Sequence, residues 1–445
     1  MKTTTSSSQF TRRDFLRTSA LAAAGTALPQ VLPSGVLAAP GQGGANERIG
    51  VGIIGMGRQM GGLLQALIKL PQARPVAVAD VNLNRAKEVT AKHGGEAMQD
   101  FRRLLERKDV DAVLTATPDH WRALVCIAAC QAGKDIYAEK PLTLTIREGQ
   151  RLVEAARKYK RVFQVGSQQR SMWVDIEACA FLRKGGIGKI TKVLYQNYPS
   201  PWECALPEQK IPDGLDWDMW CGPTPRVPFN EDLYLPRANP GWISFRPYSG
   251  GEVTGWGTHG FDMVQAALGM DESGPVEIWV EGGKFNPPTY SASEKKERGD
   301  KICGEPKVFY RYANSITLEP GGADAKPPAF GGTFVSDKVS FRLDRGRCES
   351  DPEDVAIDLM RKRPRDFDDN HIMNWLNCVK TRARPNADVE LGHRSATVCH
   401  LGNIARWVGR KLRWDPVKEE FPGDKEANQY LDRERRKPWT LPEKV

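Results

Sequence analysis

The sequence predicts an α/β chain whose first half is a doubly wound parallel sheet, and three observations carry that prediction. Residues 49–54, Ile-Gly-Val-Gly-Ile-Ile, are a short run without polar alternation, the pattern of a parallel strand buried on both faces. The run breaks into Gly55-Met56-Gly57-Arg58-Gln59-Met60-Gly61, after which Leu63, Leu64, Leu67 and Leu70 recur at helical spacing. Short apolar runs then alternate with helical stretches as far as residue 165.

The elements follow in order. Residues 75–79 read as the second strand, 83–93 as a helix, and the stretch near 100–107 as another helix. Strand 112–115, helix 123–132, strand 135–138, helix 146–159 and strand 162–165 complete the series. In the second half, strands are expected at 276–282, 308–318 and 338–343, and helices at 369–381 and 393–412. The domain organisation is then 47–167 and 168–415, with a Gly-rich linker at 40–46 in front and a C-terminal tail at 416–445.

A chain of 445 residues is long enough to bury two cores. Its 40% hydrophobic and 27% charged residues exclude a disordered chain. The net charge of +9 forms no basic stripe, which argues against a nucleic-acid partner. One third of it, +3, lies in the first 40 residues, where Lys2, Arg12, Arg13 and Arg17 face Asp14 alone. There, Thr11-Arg12-Arg13-Asp14-Phe15-Leu16-Arg17 precedes a weakly apolar segment that closes in small residues at 36–39. Paired arginines before such a segment read as a twin-arginine signal over residues 1–39. The export machinery is therefore an expected partner and a periplasmic or otherwise extracytoplasmic location the expected address. Pro29 and Pro33 break the segment, so no membrane anchor is expected. The nine cysteines form no Cys-x-x-Cys pair; Cys126 and Cys130, one helical turn apart, read as core.

Strand, glycine turn and helix in succession are what a dinucleotide pyrophosphate requires. Glycines let the backbone approach, and the helix N-terminus supplies free N–H groups. Gly55, Gly57, Arg58, Gln59 and Met60 are the candidates; the third glycine comes one residue late. Asp80 stands where a carboxylate holds ribose hydroxyls, favouring NAD over NADP; the alternative is an aspartate that caps helix 83–93.

Three ordered motifs now make a resemblance specific: Ala116-Thr117-Pro118-Asp119-His120-Trp121, Ala138-Glu139-Lys140-Pro141-Leu142 and Gln164-Val165-Gly166-Ser167-Gln168-Gln169-Arg170. From about residue 47 to near the C-terminus the chain resembles the glucose–fructose oxidoreductase/inositol dehydrogenase (Gfo/Idh/MocA) family. The resemblance implies a Rossmann domain followed by an α/β domain with an open, mostly antiparallel sheet, whose free face serves homo-oligomers. It implies NAD contacts from Thr117, Pro118, His120, Glu139, Lys140 and Gln168, and substrate contacts from Arg170 and Asp262. It also implies two catalytic residues. Lys140 would hydrogen-bond the reacting hydroxyl, and His259, in Gly255-Trp256-Gly257-Thr258-His259-Gly260-Phe261-Asp262, would serve as general acid/base. A surface lysine and a capping or core histidine are the plainer alternatives.

The chain departs from that pattern at Gly255, where the family carries an aspartate that supports the histidine; Glu252 or Asp262 could take its place. No metal site presents itself among the scattered histidines. Tyr195, Tyr198, Trp202, Trp217, Trp220, Trp242 and Trp256 suit a carbohydrate site, with Trp202 and Trp256 the candidates for stacking on a sugar. Two readings follow. One is an NAD-dependent oxidoreductase acting on a secondary hydroxyl of a sugar, cyclitol or glycoside, with a retained cofactor; NAD-dependent glycosidases are a variant of it that shares Thr258-His259-Gly260. The other is a non-catalytic carbohydrate-binding protein that keeps the fold.

Overall fold

In the computed structural model the described residues are 48–236, 241–291, 303–322 and 327–445. The twin-arginine segment and the linker lie outside them. Strands β1 (Ile49–Ile54), β2 (Ala73–Ala79), β3 (Glu96–Met98), β4 (Ala112–Thr115), β5 (Asp135–Ala138) and β6 (Phe163–Val165) form one sheet in the order β3-β2-β1-β4-β5-β6. Every pair is parallel. β1 and β4–β6 are buried along their whole length, which explains why they read as continuous apolar runs. The order reverses between β1 and β4, so their C-terminal ends open onto a shared crevice.

The second sheet runs β15-β14-β13-β7-β12-β11-β9-β16. Its members are β7 (Lys192–Tyr195), β9 (Glu277–Glu281), β11 (Lys307–Arg311), β12 (Thr317–Pro320), β13 (Gly332–Val335), β14 (Ser340–Asp344), β15 (Arg347–Asp351) and β16 (Leu412–Arg413). All neighbours pair antiparallel except β7 with β12. β8 (Glu203–Cys204) and β10 (Thr289–Tyr290) pair only with each other. One face of the large sheet, including Val193, Tyr195, Tyr310, Leu318 and Phe334, is buried in a core shared with helices Trp173–Arg183, Gly257–Leu268 and Val389–Val408. On the other face Trp279 stacks on Phe309, ring centroids 5.5 Å apart.

Two expectations change here. The single strand expected at 308–318 is a hairpin, β11 and β12, turned at Ala313-Asn314-Ser315 with Ser315 at φ 69°. Tyr312 and Ser315 close the turn by backbone hydrogen bonds. The helix expected at 393–412 is Val389–Val408, capped by the Asp388 side chain and ended by Gly409 at φ 77°.

Two segments fasten the cleft from outside the first sheet. Residues 213–216 dock on the end of β2: Asp216 N donates to Val81 O at 2.9 Å and Leu83 N to Gly214 O at 3.0 Å. The C-terminal residues pack inward, with Phe421 and Leu431 buried. Arg433 and Arg435 reach the buried Glu148 at 3.0 and 2.9 Å, and Trp439 meets Trp121 edge-on at 4.6 Å.

Candidate active site

The strand ends of β1, β2, β4 and β5 line a cleft of about 310 Å³. β1 stops at Gly55, where φ is 84°, in the left-handed region that favours glycine. A Cβ there would also meet the Thr117 backbone at 3.2 Å. Gly57 precedes helix Arg58–Leu67 without a side-chain cap, and no acid stands in the first turn. The first-turn N–H groups of Arg58, Gln59 and Met60 therefore remain free of intrahelical acceptors at the positive end of the helix dipole. Met60 can act only through its backbone, because its side chain is buried in the core. A Cβ on the late third glycine, Gly61, would face open space, so close packing does not require a glycine there.

Asp80, at the end of β2, accepts from Met56 N at 2.6 Å and from Asn82 N at 2.7 Å. Burial pushes its carboxyl pKa up, while those N–H groups and Arg85 pull it down. Asn82, not Asp80, caps helix Leu83–His93, and Asp80 lines the cleft with Val81, Arg85 and Gln99.

Glu139 and Lys140 follow β5, and the Lys140–Pro141 peptide is cis. Lys140 Nζ donates to the Gly255 carbonyl at 3.0 Å and sits 5.4 Å from the centroid of the Trp256 ring. All three residues line the cleft, and Trp256 is 37% exposed. Glu139 is buried and accepts from Gln59 Nε2 at 3.1 Å and Gln168 Nε2 at 3.0 Å. Gly166 leaves room for this carboxylate: a Cβ there would stand 2.7 Å from it. Gln168 is thus a positioning residue for Glu139 rather than part of the cleft lining. Thr117 and Pro118 line the cleft as expected.

His259 lies one helical turn beyond Trp256, with its N–H on the Trp256 carbonyl at 3.0 Å. Its ring is buried edge-on against Phe330 at 5.9 Å, and Phe330 also meets Trp256 at 5.4 Å. The histidine therefore sits beside the Lys140 end of the cleft and does not line it.

Four expected site residues are placed elsewhere. His120 does not line the cleft: its Nε2 meets Trp220 O at 2.8 Å between the Trp220 and Tyr248 rings, and burial drives its pKa down to about 3. Trp202 is buried edge-on against Phe245 and Tyr290, part of an aromatic cluster with no face left for a sugar. Arg170 and Asp262 hold each other at 2.9 Å; Arg170 also binds Asp271, and Asp262 accepts from Ser395 Oγ at 2.6 Å. Burial raises the Asp262 pKa against the pull of Arg170. Asp262 is thereby committed and does not replace the acid missing at Gly255. Of the other aromatics, Tyr195, Tyr198 and Trp217 are core, while Trp220 and Trp242 contribute to the cleft wall.

The structure adds residues that no motif announced. Arg122, buried, pairs with Asp119 at 3.1 Å and donates to the carbonyls of Thr117 and Pro141, tying together the turns after β4 and β5. Met219, Tyr234 and Ile243 join Trp220 and Trp242 in reaching the cleft from the second half of the chain. Among the described residues no cluster of acids, histidines and cysteines could hold a metal ion, and no helix is long and apolar enough to cross a membrane.

A bare helix N-terminus, a close glycine turn and a cleft-lining acid after the second strand fit a dinucleotide, and together with the sheet order they define a dinucleotide-binding oxidoreductase scaffold. Residues 49–167 match the "Oxidoreductase family, NAD-binding Rossmann fold" and residues 186–333 and 337–441 match the "Oxidoreductase family, C-terminal alpha/beta domain". The chain belongs to the Gfo/Idh/MocA oxidoreductase family, and its first domain is that family's NAD-binding fold. Residues 9–29 match the twin-arginine translocation pathway signal sequence, so the protein is exported.

The chain is 33% identical over 177 residues to a glycosyl hydrolase family 109 protein of Saccharopolyspora erythraea, covering 35% of this chain and 38% of that one. It is 30% identical over 168 residues to inositol 2-dehydrogenase of Salmonella typhimurium, covering 37% of this chain and 49% of that one. The chain thus spans less than half the length of these curated relatives. The crystal structure of aldose-aldose oxidoreductase from Caulobacter crescentus shares the fold, with a TM-score of 0.55 at 16% identity over 82% of this chain and 99% of that one.

Proposed function

We propose that the protein is an NAD-dependent oxidoreductase that acts on a secondary hydroxyl of a sugar, cyclitol or glycoside. The observation that carries this reading is Lys140, held at the end of β5 by the Gly255 carbonyl and the Trp256 face. NAD bound along the strand ends would supply the hydride acceptor. Arg58, Gln59 and Met60 would hold its pyrophosphate through backbone N–H groups, and Asp80 its ribose. Lys140 donates a hydrogen bond to the reacting hydroxyl and stabilises its oxygen as negative charge develops. His259, packed beside the Lys140 end of the cleft rather than in its lining, is the base we assign to the hydroxyl proton. Trp256 offers its exposed face to the C–H surface of the sugar ring. The Gly255 carbonyl orients Lys140, while the aspartate by which the family supports its histidine is replaced by this glycine.

Retention of the cofactor is supported by residues 213–216 and Trp220, which bridge from the second half onto the ribose end of the cleft. The glycosyl hydrolase relative favours a second reading, glycoside cleavage through transient oxidation with no net change in NAD. The sheet face bearing Trp279 and Phe309 supports self-association through that face; Trp279→Glu should then yield a smaller species in sedimentation.

The test has two arms. Denaturing the purified protein should release NAD, and screened sugars should reduce it or be cleaved with the cofactor unchanged. His259→Ala should slow either reaction by about a hundredfold or more. A protein that holds no nucleotide and transforms no sugar would be a carbohydrate-binding protein instead.

A further inference from the structure

Arg345 belongs to the turn between β14 and β15, a segment with no motif, and it contacts two residues that pack around the Lys140 end of the cleft. Its guanidinium lies over the Phe330 ring, 5.4 Å from the centroid, and Nη2 donates to Gln168 Oε1 at 2.9 Å. Both partners belong to the site's surroundings. Phe330 packs on Trp256 and His259, and Gln168 holds the cleft-lining Glu139.

Among the described residues no acid forms an ion pair with this cation, and the adjacent Asp344 pairs with Arg347. Asp175, in the field of Arg345, takes hydrogen bonds from Gln169 Nε2 and Gly346 N, and burial pushes it up to about 7. A half-buried guanidinium held in plane by an aromatic face, bonded on one nitrogen only, keeps its fork of donors for an oxyanion.

We infer that Arg345 forms an anion subsite beside Lys140 and His259, and that the substrate is an acidic sugar whose carboxylate it binds. This deepens the sugar-oxidoreductase reading and rests on it. The uronate carboxylate would meet Arg345 while the ring lies against Trp256 and Phe330.

The test uses the mature chain with its nucleotide and three ligands: a hexuronate, the matching neutral hexose and the hexose 6-phosphate. Calorimetric titration reads the subsite without turnover. The hexuronate should bind at least about tenfold more tightly than the hexose. Arg345→Gln should weaken the hexuronate about thirtyfold and the hexose less than threefold, with Arg345→Lys in between. In kinetics the loss should fall on KM for the hexuronate. Equal losses on hexuronate and hexose would show that Arg345 only braces Gln168 and would overturn the subsite. Tighter binding of the hexose 6-phosphate than of the hexuronate would overturn the carboxylate assignment. Hexuronate binding that depends on Arg345 without turnover would uphold the subsite and reject the hydride-transfer reading.

Discussion

Lys140 donates to the Gly255 carbonyl and lies beside the Trp256 ring, contacts that fix its ammonium at the cleft. Such a group contributes most when charge appears on the reacting oxygen and little when the cofactor alone is bound. Lys140→Met should therefore keep its NAD while losing about 10²–10³-fold in turnover, as nucleotide content and steady-state rates would show. Unchanged turnover would remove the lysine from the chemistry. Asp80 acts at the opposite end. Met56 and Asn82 aim its carboxylate while burial raises its pKa. Asp80→Ala should narrow the preference for NAD over NADP, because both ribose hydrogen bonds and repulsion of a 2′-phosphate are lost. A titration in which the wild type prefers NADP would contradict this.

At the scale of elements, the cleft depends on two buried fastenings. Arg122 holds the turns after β4 and β5 together, and its removal leaves Asp119, whose pKa burial already raises, without its cation. Arg122→Ala should cost about 3–5 kcal/mol. Arg103→Ala, which breaks an exposed pair with Glu106, should cost no more than about 1 kcal/mol. Denaturant unfolding compares the two, and equal losses would deny Arg122 its role. The second fastening is His371, whose Nε2 meets Val165 O at 2.8 Å and whose Nδ1 meets Ser171 Oγ at 2.6 Å. This arrangement suits a neutral ring, and burial lowers its pKa to about 4 from 6.5. A depressed histidine pKa means that the unfolded chain binds the proton first. Its stabilisation is thus present above pH 6.5 and lost as pH falls towards 4. The deficit of His371→Phe relative to wild type should shrink by about 1.4 kcal/mol per pH unit across that window. A deficit independent of pH would show that the ring is not held neutral.

For the whole molecule, export and fold meet in one requirement. A twin-arginine substrate crosses the membrane folded, which lets NAD be acquired in the cytoplasm and carried within the cleft. Replacing Arg12 and Arg13 by lysine should leave folded, unprocessed protein in the cytoplasm, as fractionation and immunoblotting of the native host would show. Normal processing of that variant would reject the signal.

Glu139 and Lys140 were singled out through the family resemblance, while the parallel sheet, the glycine turn and Asp80 at the end of the second strand were legible in the chain itself. Their physics is local: a strand buried on both faces must be apolar, and a dinucleotide needs its glycines and helix N-terminus within a few residues. The hairpin at 313–315 was not legible, since Ser315 adopts a positive φ that its residue type does not announce. Nor were the roles of His120, Trp202, Arg170 and Asp262. Each motif placed a polar or aromatic group near the cleft, but its direction is set by partners far along the chain: Trp220 for His120, Tyr290 for Trp202, and Asp262 itself for Arg170. Whether a side chain faces a ligand or the core depends on what the folded chain places opposite it, and only the tertiary structure decides that. The same holds for Phe330 and Arg345, which a loop and a hairpin turn distant in sequence bring against His259 and Gln168.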